Sequence, residues 1–282
     1  MNVAGAFRRL RAILKAMFAE GPEGDVPKSW LLKASNSLLC RKFVAEHPPC
    51  ITAHGEYTQI AIGKELFLWP ATLPVGGALQ ILSEIFMPNH PHQYLYGPTQ
   101  IGPNDVVLDI GACEGSFAAL VTSHCKRVIV VEPSRSMCRL IEELFRVRHQ
   151  TCPVILNCLL GGEASTAYFV EDALHPAGSR MSATPVEGAY ELPVITLDQL
   201  VQRLEEAPTF IKCDAEGAAA QIYAGGCKFL TESRPKLATA SYHTDSEYLD
   251  LYELLKSYGY KVMGKGFHFQ DGKLRIKMIH AW

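Results

Sequence analysis

VVLDIGACEGSF, Val106 to Phe117, is the stretch whose reading decides the fold. Its opening run is short and almost wholly apolar, the pattern of a strand buried on both faces. Asp109 stands near the end of that strand, and Gly111 and Gly115 frame a tight turn into a helix. Glycine at such positions lets backbone approach a ligand closely and adopt φ values that other residues avoid. The alternation repeats downstream. Strands are expected at 127–131, 154–157, 166–170, 192–196, 210–213 and 236–241. Helices are expected at 115–124, 134–147, 197–204, 218–230 and 246–257. Tyr260–Met263 and Lys273–His280 close the chain as an antiparallel pair. Short apolar strands separated by helices predict a parallel α/β sheet covered on both faces, with ligands outside the carboxyl ends of its strands.

Upstream of this region the pattern differs. Residues 1 to about 56 read as helical, with amphipathic stretches in Met1–Glu20 and Ser29–Ala45. A β-hairpin is expected over Tyr57–Trp69, then a helix from Gly77 to Phe86 and a loop containing His90-Pro91-His92. The expected division is an N-terminal helical and hairpin extension, 1–90, acting as a lid or dimerisation element, before a ligand-binding domain, 91–282. In the first stretch Arg8, Arg9, Arg11 and Lys15 interleave with Val3, Phe7, Leu10, Ile13, Leu14, Met17 and Phe18. That pattern fits a membrane-surface or targeting helix, or a helix packed on the domain or on a second copy. No continuous apolar core or small-residue cleavage site follows, which favours packing and leaves a homodimer through these helices open.

Bulk properties narrow the function classes. The 282 residues carry 27 basic and 29 acidic side chains, a net charge of −2, so no general excess of positive charge points to nucleic acid. Apolar residues make up 48%, enough for a sizeable core, and no apolar run is long enough to span a bilayer. Nine scattered cysteines without a C-x-x-C pair suggest reduced thiols in a cytoplasmic setting. Cys113 and Cys213 are expected at buried strand ends.

The turn also discriminates between ligands. Its spacing is Asp-x-Gly-x-x-x-Gly rather than the Gly-x-Gly-x-x-Gly of dinucleotide enzymes, and Glu114 sits at the mouth of the following helix. A carboxylate there would repel a pyrophosphate but tolerates the sulfonium and amino group of S-adenosylmethionine. Glu132 follows strand 127–131, 23 residues after Asp109, where a carboxylate can accept hydrogen bonds from both ribose hydroxyls. PTFIKCDAEG, Pro208–Gly217, brings Lys212, Asp214 and Glu216 to the carboxyl edge. Lys212 there is either a site residue or the partner of a structural ion pair. His243, in SYHTD at the end of the next strand, is a candidate general base, or a histidine fixed by Asp245. Thr244 or Asp245 is a candidate cap of the helix that follows. Tyr94 and Tyr96 lie just upstream of the first strand, as an aromatic face for the sulfonium or as core filler. His90 and His92, flanking Pro91 with no carboxylate cluster nearby in sequence, read as loop, and no metal ligand set is assigned.

Taken together, DIGACEG, VVEP, NCLLGGEAS, LPVITLDQL, IKCDAEG and RPKLATASYH, in that order across Gln93–Lys261, resemble the FkbM-type methyltransferases. The resemblance implies a Rossmann-like class I methyltransferase fold: a mostly parallel seven-stranded sheet with an antiparallel C-terminal strand. It further implies S-adenosylmethionine-dependent methylation, usually of a hydroxyl on a small natural product, sugar or glycan. On its pattern Asp109, Gly111, Ala112, Glu114 and Gly115 fall on the cofactor turn, Glu132 and Pro133 on the ribose acid, and Asn157 and Leu159 near the adenine. The chain departs from it at Ala218 and Ala219, where relatives carry a bulky or polar residue and then Glu, so the acceptor does not transfer. Rival readings are a metal-assisted O-methyltransferase in which Asp214 and Glu216 hold a divalent ion, and a cofactor-binding scaffold without catalysis.

Overall fold

The computed structural model describes residues 3–32, 36–172, 179–270 and 272–282. The chain begins with α1 (Val3–Met17), α2 (Gly21–Gly24), a 3₁₀ turn (Lys28–Leu32) and α3 (Asn36–Glu46). Three strands follow, β1 (Cys50–His54), β2 (Tyr57–Ile62) and β3 (Glu65–Pro70), and then α4 (Val75–Phe86). The expected hairpin is therefore a three-stranded antiparallel meander, because Cys50–His54 pairs with β2 in register. β1 is largely exposed, so it lacks the apolar alternation that marks a half-buried strand. The helix expected over Ser29–Ala45 is a 3₁₀ turn and a separate α-helix, with residues 33–35 outside the described residues. Phe43, Ile60, Phe67, Trp69 and Leu82 form the core of this extension.

The α/β region comprises β4 (Val106–Ile110), α5 (Ser116–Val121), β5 (Arg127–Val131), α6 (Arg135–Val147), β6 (Val154–Leu156), β7 (Leu159–Gly161), β8 (Ser165–Val170) and β9 (Arg180–Ser182). It continues with β10 (Tyr190–Thr196), α7 (Leu197–Arg203), β11 (Phe210–Cys213), α8 (Ala219–Ala224), α9 (Cys227–Ser233), β12 (Lys236–Ala240), α10 (Glu247–Ser257), β13 (Val262–Gln270) and β14 (Lys273–Ala281). Seven strands form the main sheet in the order β13-β14-β12-β11-β4-β5-β6. β4, β5, β6, β11 and β12 run parallel, and β14 is antiparallel to both its neighbours. This is the parallel α/β sheet that the alternating pattern predicts, in the Rossmann-like class I arrangement that the resemblance implies.

Period-2 geometry explains how β4 serves two cores. Val106, Leu108 and Ile110 pack into one cluster with Ile129, Val131 and Ile211, whereas Val107 faces the other with Val128, Val130 and Phe210. Strand order reverses about β4 and β11, so their carboxyl ends border the crevice where such sheets bind ligands. A second, four-stranded sheet, β7-β10-β8-β9, stands over that crevice. The single helix expected over 218–230 is broken into α8 and α9 at Gly225–Gly226. A Cβ on Gly225 would lie 2.3 Å from the Gly161 carbonyl oxygen, so close approach of β7 requires glycine there. Among the described residues, no helix is long and apolar enough to cross a membrane.

Candidate cofactor and acceptor site

The turn after β4 is built on left-handed backbone. Gly111, Cys113 and Gly115 have φ of 68°, 50° and 77°. A Cβ on Gly111 would stand 2.0 Å from the carbonyl oxygen of Asp214, so glycine lets the β4 and β11 loops touch back to back. Cys113 thus lies in the turn rather than at the strand end, whereas Cys213 is buried within β11. Glu132, at the end of β5, accepts backbone hydrogen bonds from Cys113 at 2.8 Å and from Ser134 at 2.8 Å. Burial pushes its carboxyl up to about 7 against those two bonds. Ser134 caps α6 by accepting from the Met137 amide at 3.1 Å.

A cleft of about 420 Å³ opens from this turn. Gly111, Cys113, Glu132, Pro133 and Leu159 line it, and Asp214, Glu216 and Ala218 stand along β11 and its loop. Phe169 and Met181, from the small sheet, and Met137, from α6, complete an apolar wall. These residues fit S-adenosylmethionine in chemistry: a carboxylate for ribose hydroxyls, apolar side chains for a flat base, and further carboxylates for the cationic end. Of the wall, sequence reasoning placed Phe169 only on a strand and Met181 nowhere. Nothing local marks Met181, because β9 is only three residues long and lies within a stretch rich in Gly, Ser and Pro that reads as loop.

Other expected cofactor residues support the cleft from behind. Asp109 is fully buried, and its Oδ1 lies 2.9 Å from the Lys212 Nζ. Register opposes Lys212 to Asp109 across neighbouring parallel strands, so both project from the same face. Lys212 also donates to the Gly111 carbonyl at 2.6 Å, which ties the ion pair to the turn. Burial opposes the Lys212 charge, but Asp109 and Asp214 outweigh it and push the ammonium's pKa up. Glu114 is buried beside Ser116, and loss of solvent pushes its carboxyl up. Ala112 packs with Phe117, and Gly115 meets Ile141, where a Cβ would lie 2.7 Å from its Cγ1. Asn157 donates to the Glu132 and Pro133 carbonyls at 3.0 and 2.8 Å, so it holds the acidic turn rather than facing the cleft. Tyr94 is buried and donates to Asp214 Oδ2 at 2.6 Å.

Asp214 is the hub of the other end. Its Oδ1 stands 3.1 Å from His243 Nε2, and Glu216 Oε2 is 3.7 Å from the same nitrogen. Glu247 closes the far side of the ring, 3.1 Å from Nδ1, and also accepts the His243 backbone N–H at 2.8 Å. Burial disfavours the imidazolium, yet Asp214 and Glu247 override it and raise His243 to about 10. Asp214 is held well below the usual carboxylate range: burial opposes its charge, but the ion pair with His243 and the charges of His92 and Lys212 win. Glu216 is exposed at the rim with φ of 47°, a conformation costly for a residue with a side chain. Asp245 does not fix His243. It pairs instead with Lys273 and Arg275 on β14, and Ser246 occupies the cap position of α10 without a capping hydrogen bond.

The His-Pro-His loop also differs from expectation, because folding brings carboxylates to it. His92 Nδ1 lies 2.6 Å from Glu84 on α4, and its Nε2 is 3.7 Å from Asp214. Burial opposes ionisation of Glu84, but His92 and buried Lys277 outweigh it and hold its carboxyl at about 2. A buried charged path thus runs from the extension to the site.

The model of the methyltransferase FkbM domain matches residues 109–262. Among solved structures, a methyltransferase FkbM from Methylobacillus flagellatus KT is similar at 21% identity and a TM-score of 0.51. That match covers 73% of this chain and 54% of the other, so the chain spans about half of that relative's length. A precorrin-6y C5,15-methyltransferase from Geobacter metallireducens GS-15 has 14% identity and a TM-score of 0.41, with 65% and 82% covered. The magnesium protoporphyrin IX methyltransferase of Synechocystis PCC 6803, with bound SAM, has 11% identity and a TM-score of 0.38, with 64% and 70% covered. No curated protein matches. Likeness at these identities concerns the fold, whereas the family rests on the domain match over more than half of the sequence. The chain belongs to the methyltransferase FkbM domain family, with S-adenosylmethionine as its cofactor.

Proposed function

We propose that this protein methylates a hydroxyl on a small natural product, sugar or glycan. The observation that carries the reading is a single cleft joining a ribose-type carboxylate, Glu132, to the Asp214 and Glu216 edge, beside which His243 stands. The cofactor, when bound, supplies an electrophilic methyl group on a sulfonium leaving group. The apolar wall of Met137, Leu159, Phe169 and Met181 excludes water, and Asp214 with Glu216 orients the acceptor hydroxyl. A histidine held charged up to about 10 does not accept a proton at neutral pH, and Asp214 is too acidic to be an effective base. The proton acceptor is therefore Glu216, whose carboxyl is pushed up by loss of solvent against the pull of His243. Lys212 acts through Asp109 as a positioning residue rather than on the acceptor. The nine unpaired cysteines support a reducing, cytoplasmic setting.

The test is release of S-adenosylhomocysteine from S-adenosylmethionine across a panel of polyols, sugars and phenolic acceptors, with the methylated product treated with mild base. Turnover yielding a base-stable methyl ether is expected. A base-labile ester or an N-methyl product would overturn the hydroxyl reading. Tight cofactor binding without turnover on any acceptor would favour the scaffold reading.

A further inference from the structure

We propose that Asp214, Glu216 and His243 bind a divalent first-row cation at the acceptor end of the cleft. The inference deepens the hydroxyl-methylation reading and rests on it for its role, but not for its test. One donor atom from each residue lies within 4.8 Å of the others. Ligands held at about 2.1 Å from a tetrahedral or octahedral ion stand roughly 3.0 to 3.4 Å apart. The observed 3.1 Å between Asp214 Oδ1 and His243 Nε2, and 3.7 Å between His243 Nε2 and Glu216 Oε2, are close to that spacing.

Proximity of carboxylates alone would not identify a site. The independent observation is the state of the histidine. Its side chain is only 10% exposed, and Nε2 is shielded from solvent without an aligned hydrogen-bond partner. Asp214 Oδ1 is likewise shielded and unaligned, although the two atoms face each other. Buried polar atoms ordinarily find aligned partners, so an ion pair that converges on one point without an aligned hydrogen bond marks where a cation can replace the His243 proton.

The surrounding contacts match the support a metal site needs. A metal-bound imidazole commonly gives its other ring nitrogen to a carboxylate, which fixes ring orientation and tautomer. Glu247 takes that place at Nδ1. Tyr94 occupies Asp214 Oδ2 at 2.6 Å and leaves Oδ1 directed at the site. Gly217, with φ of 93°, and the left-handed backbone of Glu216 turn the loop so that the exposed carboxylate swings back toward His243. One nitrogen and two carboxylate oxygens suit Mn²⁺ or Zn²⁺ better than Ca²⁺. Three protein ligands leave open positions for the acceptor oxygen. An oxygen on the cation loses its proton more readily, and the Glu216 carboxylate oxygen that is not on the cation takes that proton, so Glu216 is both ligand and base.

The experiment is titration of chelator-stripped protein with Mn²⁺, following the signal of free Mn²⁺ by electron paramagnetic resonance. Wild type is compared with His243→Ala, Glu216→Ala and Glu247→Gln. Calorimetric binding of S-adenosylhomocysteine, which depends on Glu132, reports for each variant that the fold is intact. One Mn²⁺ per chain is expected, with at least tenfold weaker binding in the first two variants. Tenfold or more is also expected for Glu247→Gln, the positioning residue. Absence of a saturable Mn²⁺ or Zn²⁺ site in wild type, or affinity unchanged in folded His243→Ala and Glu216→Ala, would overturn the proposal. Either result would leave hydroxyl methylation standing, since that is judged by its product.

Discussion

Replacing Lys212 by Met separates a structural lysine from a catalytic one. Methionine keeps the length of the chain and removes Nζ, with its 2.9 Å contact to Asp109 Oδ1 and its 2.6 Å hydrogen bond to the Gly111 carbonyl. Lys212 also lies 5.4 Å over the Tyr94 ring, so its cation is enclosed by structural partners. Asp109 has no exposed surface, and the variant leaves its carboxylate buried without a cation. Removing one partner of such a pair costs about 3–5 kcal/mol, because the surviving charge must be desolvated alone or neutralised. For a chain of this size that lowers the melting temperature by roughly 10 °C. The decisive comparison is the double variant Lys212→Met with Asp109→Asn, which removes both charges. It should recover at least about 2 kcal/mol relative to Lys212→Met, a coupling visible in a double-mutant cycle by urea unfolding followed by circular dichroism. A Lys212→Met protein that unfolds at the wild-type midpoint yet has lost turnover would refute the structural assignment.

Other outcomes follow from the same geometry. Gly111→Ala should destabilise the protein by about 3 kcal/mol or more, because its Cβ would press on the Asp214 carbonyl and alanine resists a φ of 68°. Thermal melting checks this, and a wild-type melting temperature would contradict the back-to-back packing of the two loops. Cofactor affinity should depend on pH through Glu132. With its carboxyl raised to about 7 by burial, S-adenosylhomocysteine binding should weaken up to tenfold per unit as pH falls below about 7, since ribose hydroxyls donate to the ionised form. The sign for the ligand-free protein is opposite. A raised carboxyl favours the folded state while protonated, so Glu132 subtracts about 3 kcal/mol as pH rises from about 4.5 through 7. Unfolding of the Glu132→Gln variant, which cannot ionise there, should lack that component.

The elements that were legible are those fixed by local pattern. Bounds at 106–110, 127–131 and 210–213 coincide with the structure because each is a short, mostly apolar run bounded by turn residues or charge. Glu132 and Asp214 were legible for the same reason, as they directly follow such runs at the carboxyl edge. What was not legible depends on pairing between distant segments. Lys212 and Asp109 become partners only through the β4–β11 register. The break at Gly225–Gly226 follows from contact with Gly161, which no helical periodicity reports. The approach of Glu84 and His92 to Asp214 joins the extension to the site across 130 residues of sequence, so His92, which read as loop, carries buried charge partners. Glu247, read only as part of a helix, gained its role by meeting His243 one turn before it.

The most direct test of the central claim is calorimetric binding of S-adenosylhomocysteine to wild type and to Glu132→Ala, with NAD as control. The cleft geometry predicts tight binding by wild type, at least tenfold weaker binding by the folded variant, and no binding of NAD. Folded wild-type protein that binds NAD instead, or binds S-adenosylhomocysteine equally well without Glu132, would contradict it.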